Sequence, residues 1–296
     1  MQNMTPKNRH DHIVECILKA YAFDFDKNIG FTTTRILLEY YQKEIMEIID
    51  VSQQEHYDLE AKHLIGPDKD LRFIDNEPEQ SFIWFREEGD FIKQSKHIVD
   101  HKAYGPSWKK FVQAHTIAGI ISIITARGQS VEEIKEWHKI LIYNALQQKE
   151  IDQLITRMKI HLGENGRQLN DDEIIQAYLD NNYYAPCSNP AYLQTINSSL
   201  KDPMWLRKTR WFELFIQHVM KIYDFYHGKD FMADKQIEVG FSDDVKKTID
   251  GMQKFISTIH HRYPHVDFSL FDTENPAHIK KIFLPGKGRT DELRHE

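Results

Sequence analysis

The chain has little cysteine and no long apolar run. Cys16 and Cys187 are its two cysteines, too few for a disulfide framework and without a metal-ligand spacing. Such scarcity is typical of a reducing compartment. No window holds 18 apolar residues, so no transmembrane helix is predicted, and residues 1–12 lack the apolar stretch of a signal peptide. A cytoplasmic protein without a membrane partner is therefore expected.

An excess of positive charge is also missing. The formal net charge of −7 argues against bulk electrostatic binding to nucleic acid or to an anionic membrane, but it leaves room for a local phosphate-ester site. A hydrophobic content of 41% and a charged content of 28% are ordinary for a globular protein. The length favours one large α/β core with a substantial insertion over two equal domains.

Residues 21–26, Tyr-Ala-Phe-Asp-Phe-Asp, form an apolar run that ends in Asp24 and Asp26. The run is typical of a buried strand, and residues two apart on a strand share a face. Ligands of an open α/β sheet bind beyond the carboxyl ends of its strands, so the two carboxylates could converge on one object. Two anions so close repel unless a cation or a shared proton relieves them. Bound Mg²⁺ is the usual remedy, and a solvated turn is the alternative interpretation.

Two more apolar runs end in polar residues. Residues 120–124 lead into Thr125, and residues 237–241 lead into Ser242, Asp243 and Asp244. Strands that alternate with helices imply a parallel sheet with right-handed crossovers. The predicted fold is therefore α/β, with a Rossmann-like, doubly wound parallel sheet.

The remaining elements follow from periodicity and turn residues. Helices are predicted over residues 35–49, 130–141, 171–179, 203–223 and 243–259. A third strand is expected at Tyr183-Tyr184, and an edge strand over residues 266–271. The segment between the first two site strands is too long for a bare crossover. Residues 50–102 are therefore predicted to be an inserted cap or lid, residues 12–49 and 103–283 the core, and residues 284–296 a polar tail.

These motifs, taken as an ordered set, resemble the haloacid-dehalogenase-like (HAD) superfamily of phosphohydrolases. Residues 24–26, 124–125 and 240–244 match its motifs one, two and four. Longer patterns, such as Ile-Ile-Thr-Ala-Arg-Gly and Gly-Phe-Ser-Asp-Asp, are similar to uncharacterised HAD-like proteins of bacteria and phages. The resemblance implies an HAD-like core with a cap inserted after the first core strand.

The resemblance also implies roles for particular residues. Asp24 is expected to attack phosphorus and become an aspartyl-phosphate. Asp26 would protonate the leaving oxygen and then activate water, while its main-chain carbonyl binds Mg²⁺. Thr125 would hydrogen-bond a phosphoryl oxygen. Asp243, helped by Asp244, would complete the metal site.

The third motif of the superfamily is a lysine, and several residues could supply it. Lys208 is the preferred candidate, because it lies near the start of the helix that precedes residue 237. Lys201 and Arg207 are alternatives. A basic, solvated helix start is the ordinary interpretation.

Asn28 departs from the family pattern, in which Thr or Val is usual two residues after the second Asp. The retained second Asp favours phosphatase or phosphotransferase chemistry over dehalogenase or ATPase chemistry. Asn28 could alter how the following loop opens and closes, and so slow turnover.

Three further groups have two interpretations each. The histidines at positions 260, 261 and 265 suggest a transition-metal site, but surface or core positions are favoured because no cysteine or acidic spacing supports a metal. The aromatic residues at positions 82, 84 and 85 could line a substrate pocket, although core packing is favoured. Arg127 could contact a substrate phosphate or pair with a neighbouring carboxylate.

The expected function is Mg²⁺-dependent hydrolysis of a phosphate monoester. A small phosphorylated metabolite is the preferred substrate, with a phosphorylated protein side chain or a nucleic-acid end still open. Two other classes stay as alternatives. One is a non-catalytic HAD-like binding or regulatory protein, and the other is a polynucleotide-end phosphatase, which would need a basic groove.

Overall fold

Two β-sheets organise the chain. The computed structural model describes residues 19–42, 45–76, 78–227, 236–275 and 277–284. The strands are β1 Lys19–Phe23, β2 Arg35–Gln42, β3 Ile45–Ser52, β4 Leu71–Phe73, β5 Ile120–Thr125, β6 Tyr183–Pro186, β7 Ile237–Asp243, β8 Val266–Asp272 and β9 Lys280–Leu284. The start of the predicted core, residues 12–18, and the predicted tail after Leu284 lie outside these ranges.

The helices follow the strands in alternation over much of the chain. They are α1 Gln53–Ala61, α2 Pro78–Ser81, α3 Asp90–His101, α4 Trp108–Thr116, α5 Val131–Ala145, α6 Gln148–Leu162, α7 Glu164–Gln168, α8 Asp171–Asn181, α9 Pro190–Leu193, α10 Met204–His227 and α11 Lys246–Ile259. Within the ranges that the structure describes, no helix has the length and apolar character needed to cross a membrane.

The larger sheet has the strand order β6-β5-β1-β7-β8-β9. Its first five strands are parallel, whereas β9 runs antiparallel to β8. The predicted α/β class with a mostly parallel, Rossmann-like sheet is confirmed. The prediction of β8 as an edge strand is wrong, because β9 pairs along its outer side.

Burial on both faces explains why the strands of this sheet are nearly continuous apolar runs. All six residues of β5 are buried. One face packs against an apolar cluster that includes Phe212 and Phe215 of α10, and the other against a cluster that includes Phe111 of α4 and Trp137 of α5. This two-sided core fixes the sheet on which the candidate site is built.

Residues 35–49 do not form the predicted helix. They form most of an antiparallel hairpin, β2 and β3, within a three-stranded sheet of order β3-β2-β4, called the small sheet below. Ile36 and Leu38 alternate toward a core that also holds Phe85. Apolar residues in this segment fit both a helical and a two-residue period, and the strand conformation is stabilised by the ladder with β3 along the length of β2 and by β4 on its other side. The predicted start of the lid at residue 50 falls inside β3.

The small sheet belongs to an insertion whose two ends meet. Gly30 forms a β-bridge with Tyr104, and the Phe31 amide donates to the Ala103 carbonyl at 2.8 Å. Residues 31–103 are called the insertion below. Next to this junction, Gly105 approaches the Asn28 carbonyl so closely that a Cβ atom would lie 2.3 Å from its oxygen. A glycine is therefore required where the insertion rejoins the core.

Helix starts agree well with their sequence signals. Ser130 caps α5 as predicted, its hydroxyl accepting from the Glu133 amide. The helices predicted over residues 171–179 and 203–223 are confirmed as α8 and α10. The helix predicted from residue 243 begins three residues later, because Asp243 still pairs in β7. Ser52 and Glu55 cap α1 reciprocally, which starts this helix directly after β3.

A chain of buried hydrogen bonds crosses the apolar core behind β6. His115 Nδ1 lies 2.7 Å from the Phe111 carbonyl, and its Nε2 lies 2.7 Å from Nε2 of His138. His138 Nδ1 lies 3.0 Å from the Tyr184 hydroxyl. A carbonyl only accepts, so His115 carries its proton at Nδ1 and, as a neutral ring, accepts at Nε2. His138 then donates from its Nε2 and accepts at Nδ1, where the Tyr184 hydroxyl donates. The network is satisfied with both rings neutral.

Acid should weaken the fold through these two histidines. Burial lowers the pKa of His115 to about 4, and burial together with His115 lowers that of His138 well below its usual value. The unfolded chain therefore binds protons on these two histidines below about pH 6.5, whereas the folded chain does not. The free energy of unfolding then decreases as the pH is lowered, by up to about 1.4 kcal/mol per pH unit for each ring.

Urea unfolding between pH 7 and pH 5 measures this slope. We expect His138→Gln, which keeps a donor toward His115, to reduce the slope by up to about 1.4 kcal/mol per pH unit. His261→Gln, at an exposed position just after α11, is the matched control. An unchanged slope in His138→Gln would contradict the neutral pair.

Candidate functional site

The candidate site lies beyond the carboxyl ends of three neighbouring strands. Asp24 follows β1, Thr125 ends β5, and Asp243 ends β7, with β1 between the other two in the sheet. The Asp24 amide donates to the Ser242 carbonyl at 3.0 Å, which continues the β1–β7 ladder into the site. The chain order reverses at β1, and such switch points are where open α/β sheets bind ligands.

Three carboxylates converge at this point. Ligand oxygens of Asp24, Asp243 and Asp244 all lie within 4.8 Å of one another; these residues are called the acidic trio below. Asp24 is 5% exposed and Asp243 is fully buried. Asp243 is also fixed by the Val245 amide, which donates to its Oδ1 at 2.9 Å. The local turn after β7 thus orients one member of the trio.

Lys208 enters the trio from α10. Its Nζ donates to Asp243 Oδ2 at 2.6 Å and lies 2.9 Å from Asp24 Oδ1. The contact with Asp24 is an ion pair without hydrogen-bond geometry, and Asp24 Oδ1 is a buried acceptor without a hydrogen bond. Of the three candidates for the basic residue, Lys201 is exposed and Arg207 donates to the Cys187 carbonyl. Lys208 alone of the three lies against the carboxylates.

One ammonium faces three carboxylates in this buried place, and the pKa values reflect the imbalance. Burial raises the pKa of Asp24 well above its usual value, although Lys208 acts in the opposite direction. Burial and the charge of Asp243 raise the pKa of Asp244 to about 7. Burial would lower the pKa of Lys208, but Asp24 and Asp243 raise it well above its usual value. The site therefore has room for further positive charge.

The donor set suits a hard divalent cation. Mg²⁺ takes oxygen ligands, commonly one or two carboxylates, and keeps several waters. Asp24, Asp243 and Asp244 each bring a carboxylate oxygen within 4.8 Å of the others, which supplies acceptors of the required kind. The residues present fit such an ion.

The carboxylate of Asp26 takes part in a different arrangement. It accepts from Arg127 Nε at 2.9 Å, Arg127 Nη2 at 2.8 Å, Thr32 Oγ1 at 2.6 Å and Gln53 Nε2 at 3.1 Å. Burial would raise the pKa of Asp26, but the charge of Arg127 and these hydrogen bonds lower it below its usual value. The two carboxylates of the Asp-x-Asp motif thus meet opposite environments.

Arg127 pairs with carboxylates, which is the second of its two predicted roles. Its side chain is fully buried, and Nη1 donates to Asp90 Oδ2 at 2.7 Å in addition to the two bonds with Asp26. The guanidinium lies 4.7 Å from the ring centroid of Phe85 and 5.3 Å from that of Phe25. Enclosed by these rings and acceptors, it is not directed at the acidic trio.

Two other predicted residues have mainly local contacts. The Thr125 hydroxyl, fully buried, accepts from the Arg127 amide at 3.2 Å. The Asn28 side chain is buried and donates to Ser242 Oγ at 3.1 Å, while Ser107 Oγ donates to the same hydroxyl at 3.2 Å. Asn28 therefore joins the loop after β1 to the end of β7.

Sequence reasoning missed the partners of Asp26 and Arg127. Thr34, Gln53 and Asp90 come from the insertion, and nothing in their local pattern marks them. Phe82 and Phe85 pack on the small-sheet core, the favoured interpretation for those aromatics, whereas Trp84 is 37% exposed and does not. Among the residues that the structure describes, the histidines at positions 260, 261 and 265 join no cluster of three metal-ligating side chains.

Comparisons with protein-family models, with curated proteins and with solved structures give no match. The resemblance to the HAD superfamily therefore rests on the motifs of this chain, and membership stays a prediction. What the geometry defines is an α/β protein with a buried acidic site at the switch point of its sheet.

Removing the lysine should strongly destabilise the fold. Lys208→Met leaves Asp24 and Asp243 buried without their cation, and breaking a buried pair by removing one partner costs roughly 3–5 kcal/mol. Urea unfolding at pH 8 measures the loss, with exposed Lys201→Met as the matched control. A loss below about 1 kcal/mol, the range of surface pairs, would contradict a buried counter-ion role.

Proposed function

We propose that the protein is a Mg²⁺-dependent phosphatase that hydrolyses a phosphate monoester through an aspartyl-phosphate on Asp24. The observation that carries this proposal is the buried Asp24 carboxylate, paired at Oδ1 with Lys208 at 2.9 Å and lying beside Asp243 and Asp244. Phosphoryl transfer depends on positioning and on balancing negative charge. Asp24 supplies a nucleophile in a fixed position, and Lys208 together with a cation held by the acidic trio would balance the negative charge.

In the first step an Asp24 oxygen attacks phosphorus while the bond to the leaving oxygen breaks. Asp26, once protonated, gives its proton to that oxygen, so an alcohol leaves. Lys208, and Thr125 at the end of β5, would donate to phosphoryl oxygens as the ester bond breaks. A divalent cation held by the trio would neutralise phosphoryl charge and lower the pKa of Asp24, keeping the nucleophile ionised.

In the second step water attacks the phosphorus of the aspartyl-phosphate. Asp26, now ionised, takes a proton from that water, and the bond between phosphorus and the Asp24 oxygen breaks. Inorganic phosphate and the original carboxylate are the products. Each step needs one acid–base group and one nucleophile, which the Asp-x-Asp motif provides.

We further propose that the insertion is the lid and that the substrate is a small phosphorylated metabolite. The first turn of α1 lies over the motif, since Gln53 contacts Asp26 and Gln54 accepts from Lys27 Nζ at 3.0 Å. A cover this close leaves limited room above the site and would exclude bulk water from the acyl-phosphate. The net charge of −7 disfavours a polynucleotide end.

Hydrolysis of p-nitrophenyl phosphate with and without Mg²⁺ tests the activity. We expect Mg²⁺-dependent turnover that Asp24→Asn lowers on the order of a thousandfold or more, the scale of losing a nucleophile. Asp250→Asn, on the surface of α11, is the matched control.

If the unaltered protein shows no turnover, beryllium fluoride separates the remaining possibilities, because it mimics an aspartyl-phosphate. Binding that Asp24→Asn abolishes would support a phosphatase whose lid rejects aryl phosphates. Absence of binding would contradict an enzyme and favour a non-catalytic binding protein.

The trio should determine cation affinity. Asp244→Asn removes one of three carboxylates, and we expect Mg²⁺ to bind at least tenfold more weakly, equivalent to about 1.4 kcal/mol. Calorimetric titration measures the affinity, again with Asp250→Asn as the control. Equal affinity in the two variants would place the cation elsewhere.

A further inference from the structure

Arg127 links three parts of the chain that are far apart in sequence. It follows β5, and its guanidinium contacts Asp26 after β1, Thr34 before β2 and Asp90 at the start of α3. The proposed reaction uses Asp26 for proton transfer but gives Arg127 no part. The inference below rests on that proposed function.

The contact with Asp26 fixes an orientation as well as a charge. Arg127 Nε and Nη2 bind the two oxygens of this carboxylate at 2.9 and 2.8 Å. This parallel pair of bonds matches the planar fork of a guanidinium, which a lysine cannot reproduce. Rotation of the Asp26 carboxylate would break both bonds at once.

The guanidinium is in turn held from the side of the insertion. Nη2 donates to Thr34 Oγ1 at 2.6 Å, and Nη1 donates to Asp90 Oδ2 at 2.7 Å. Thr34 Oγ1 itself donates to the same Asp90 oxygen at 2.8 Å, so the three side chains close a ring of hydrogen bonds. Because Arg127 is fully buried, these partners and the surrounding rings determine where it lies.

Neighbouring contacts extend this ring along the segment that leads into the small sheet. Gln94 of α3 accepts from the Thr33 amide at 2.8 Å and donates to Asp90 Oδ1 at 3.1 Å. Thr32 and Gln53 donate to Asp26 directly. The Asp26 carboxylate therefore has two donors from the core and two from the insertion.

We infer that Arg127 is a positioning residue for proton transfer by Asp26, and that Thr34 and Asp90 make this position depend on the insertion. Three of the four hydrogen bonds, from Arg127 Nη2, Thr32 and Gln53, go to Asp26 Oδ1, whereas Oδ2 accepts from Arg127 Nε alone. Oδ2 therefore keeps an acceptor site with which it can exchange a proton with substrate or water. Thr32 and Gln53 hold Oδ1 from the side of the insertion, and Arg127 keeps the carboxylate aligned.

Two substrates separate this role from a structural one. The leaving group of p-nitrophenyl phosphate departs as a stabilised phenolate and needs little protonation, whereas an alkyl phosphate such as ethyl phosphate must receive a proton. Damage to proton transfer therefore lowers kcat for the alkyl ester selectively. Asp26→Asn removes the proton-transfer group, so it sets the largest loss of kcat for ethyl phosphate relative to the aryl ester. General acid–base catalysis contributes about 10²–10⁴-fold.

Thr34→Val and Asp90→Asn loosen Arg127 without touching its bonds to Asp26. We expect each to lower kcat for ethyl phosphate about tenfold, a part of the general acid effect, with kcat for the aryl ester and both KM values changed less than about twofold. Thr116→Val and Asp250→Asn, outside the site, are the matched controls. Near-ultraviolet circular dichroism checks that each variant is folded.

Arg127 itself is tested with a conservative and a non-conservative variant. Arg127→Lys keeps the charge but loses the fork, and we expect a selectivity between those of Asp90→Asn and Asp26→Asn. Arg127→Met leaves two buried carboxylates unpaired and can fail to fold, so the conclusion depends on the lysine variant.

Equal losses of kcat on both esters would show a merely structural role and overturn the inference. Unchanged kinetics in Thr34→Val and Asp90→Asn would overturn it as well. Turnover of the aryl ester by the unaltered protein establishes the proposed function separately from this result. If the unaltered protein hydrolyses neither ester, the inference is overturned, and the proposed function fails with it only where beryllium fluoride also does not bind.

Discussion

The rest of the structure depends on one buried charge balance, three carboxylates around the ammonium of Lys208. Burying an ion costs several kcal/mol unless partners compensate it, so α10 and the ends of β1 and β7 must meet within hydrogen-bond distance. The apolar cluster around Phe212 and Phe215 holds α10 against the sheet. Packing thus places a lysine beside the acidic trio. The three carboxylates still outnumber this one ammonium, and a divalent cation would balance the remaining negative charge.

A second ionic centre separates the two carboxylates of one short motif. Asp24 meets carboxylates and a single lysine, which leaves its pKa raised, whereas Asp26 meets a guanidinium and two further hydrogen bonds, which lower its pKa. A divalent cation at the acidic trio would lower the pKa of Asp24 in turn, as the proposed nucleophile requires. The contrast between the two carboxylates depends on where each side chain points from the end of β1, because the core supplies Lys208 and the insertion helps to hold Arg127.

The insertion is joined to this second centre more closely than to the first. Thr32, Thr34, Gln53 and Asp90 all contact Asp26 or Arg127. In contrast, the acidic trio is built from residues that follow core strands. The carboxylates proposed to bind a cation and the carboxylate proposed to transfer protons are therefore supported by different parts of the molecule, and a movement of the insertion would act on the second.

The sequence by itself determined the elements whose signals are local. Apolar runs ending in Asp24, Thr125 and Asp243 predicted the three site strands, and capping residues such as Ser130 predicted helix starts, because burial and capping act over a few residues. Tertiary structure decided the rest. Residues 35–49 form strands because β2 pairs with β3 along its length and with the more distant β4 on its other side. β9 pairs along the outer side of β8, and Arg127 contacts carboxylates that lie far from it in sequence. These outcomes depend on pairing and contacts between elements, which no local pattern identifies.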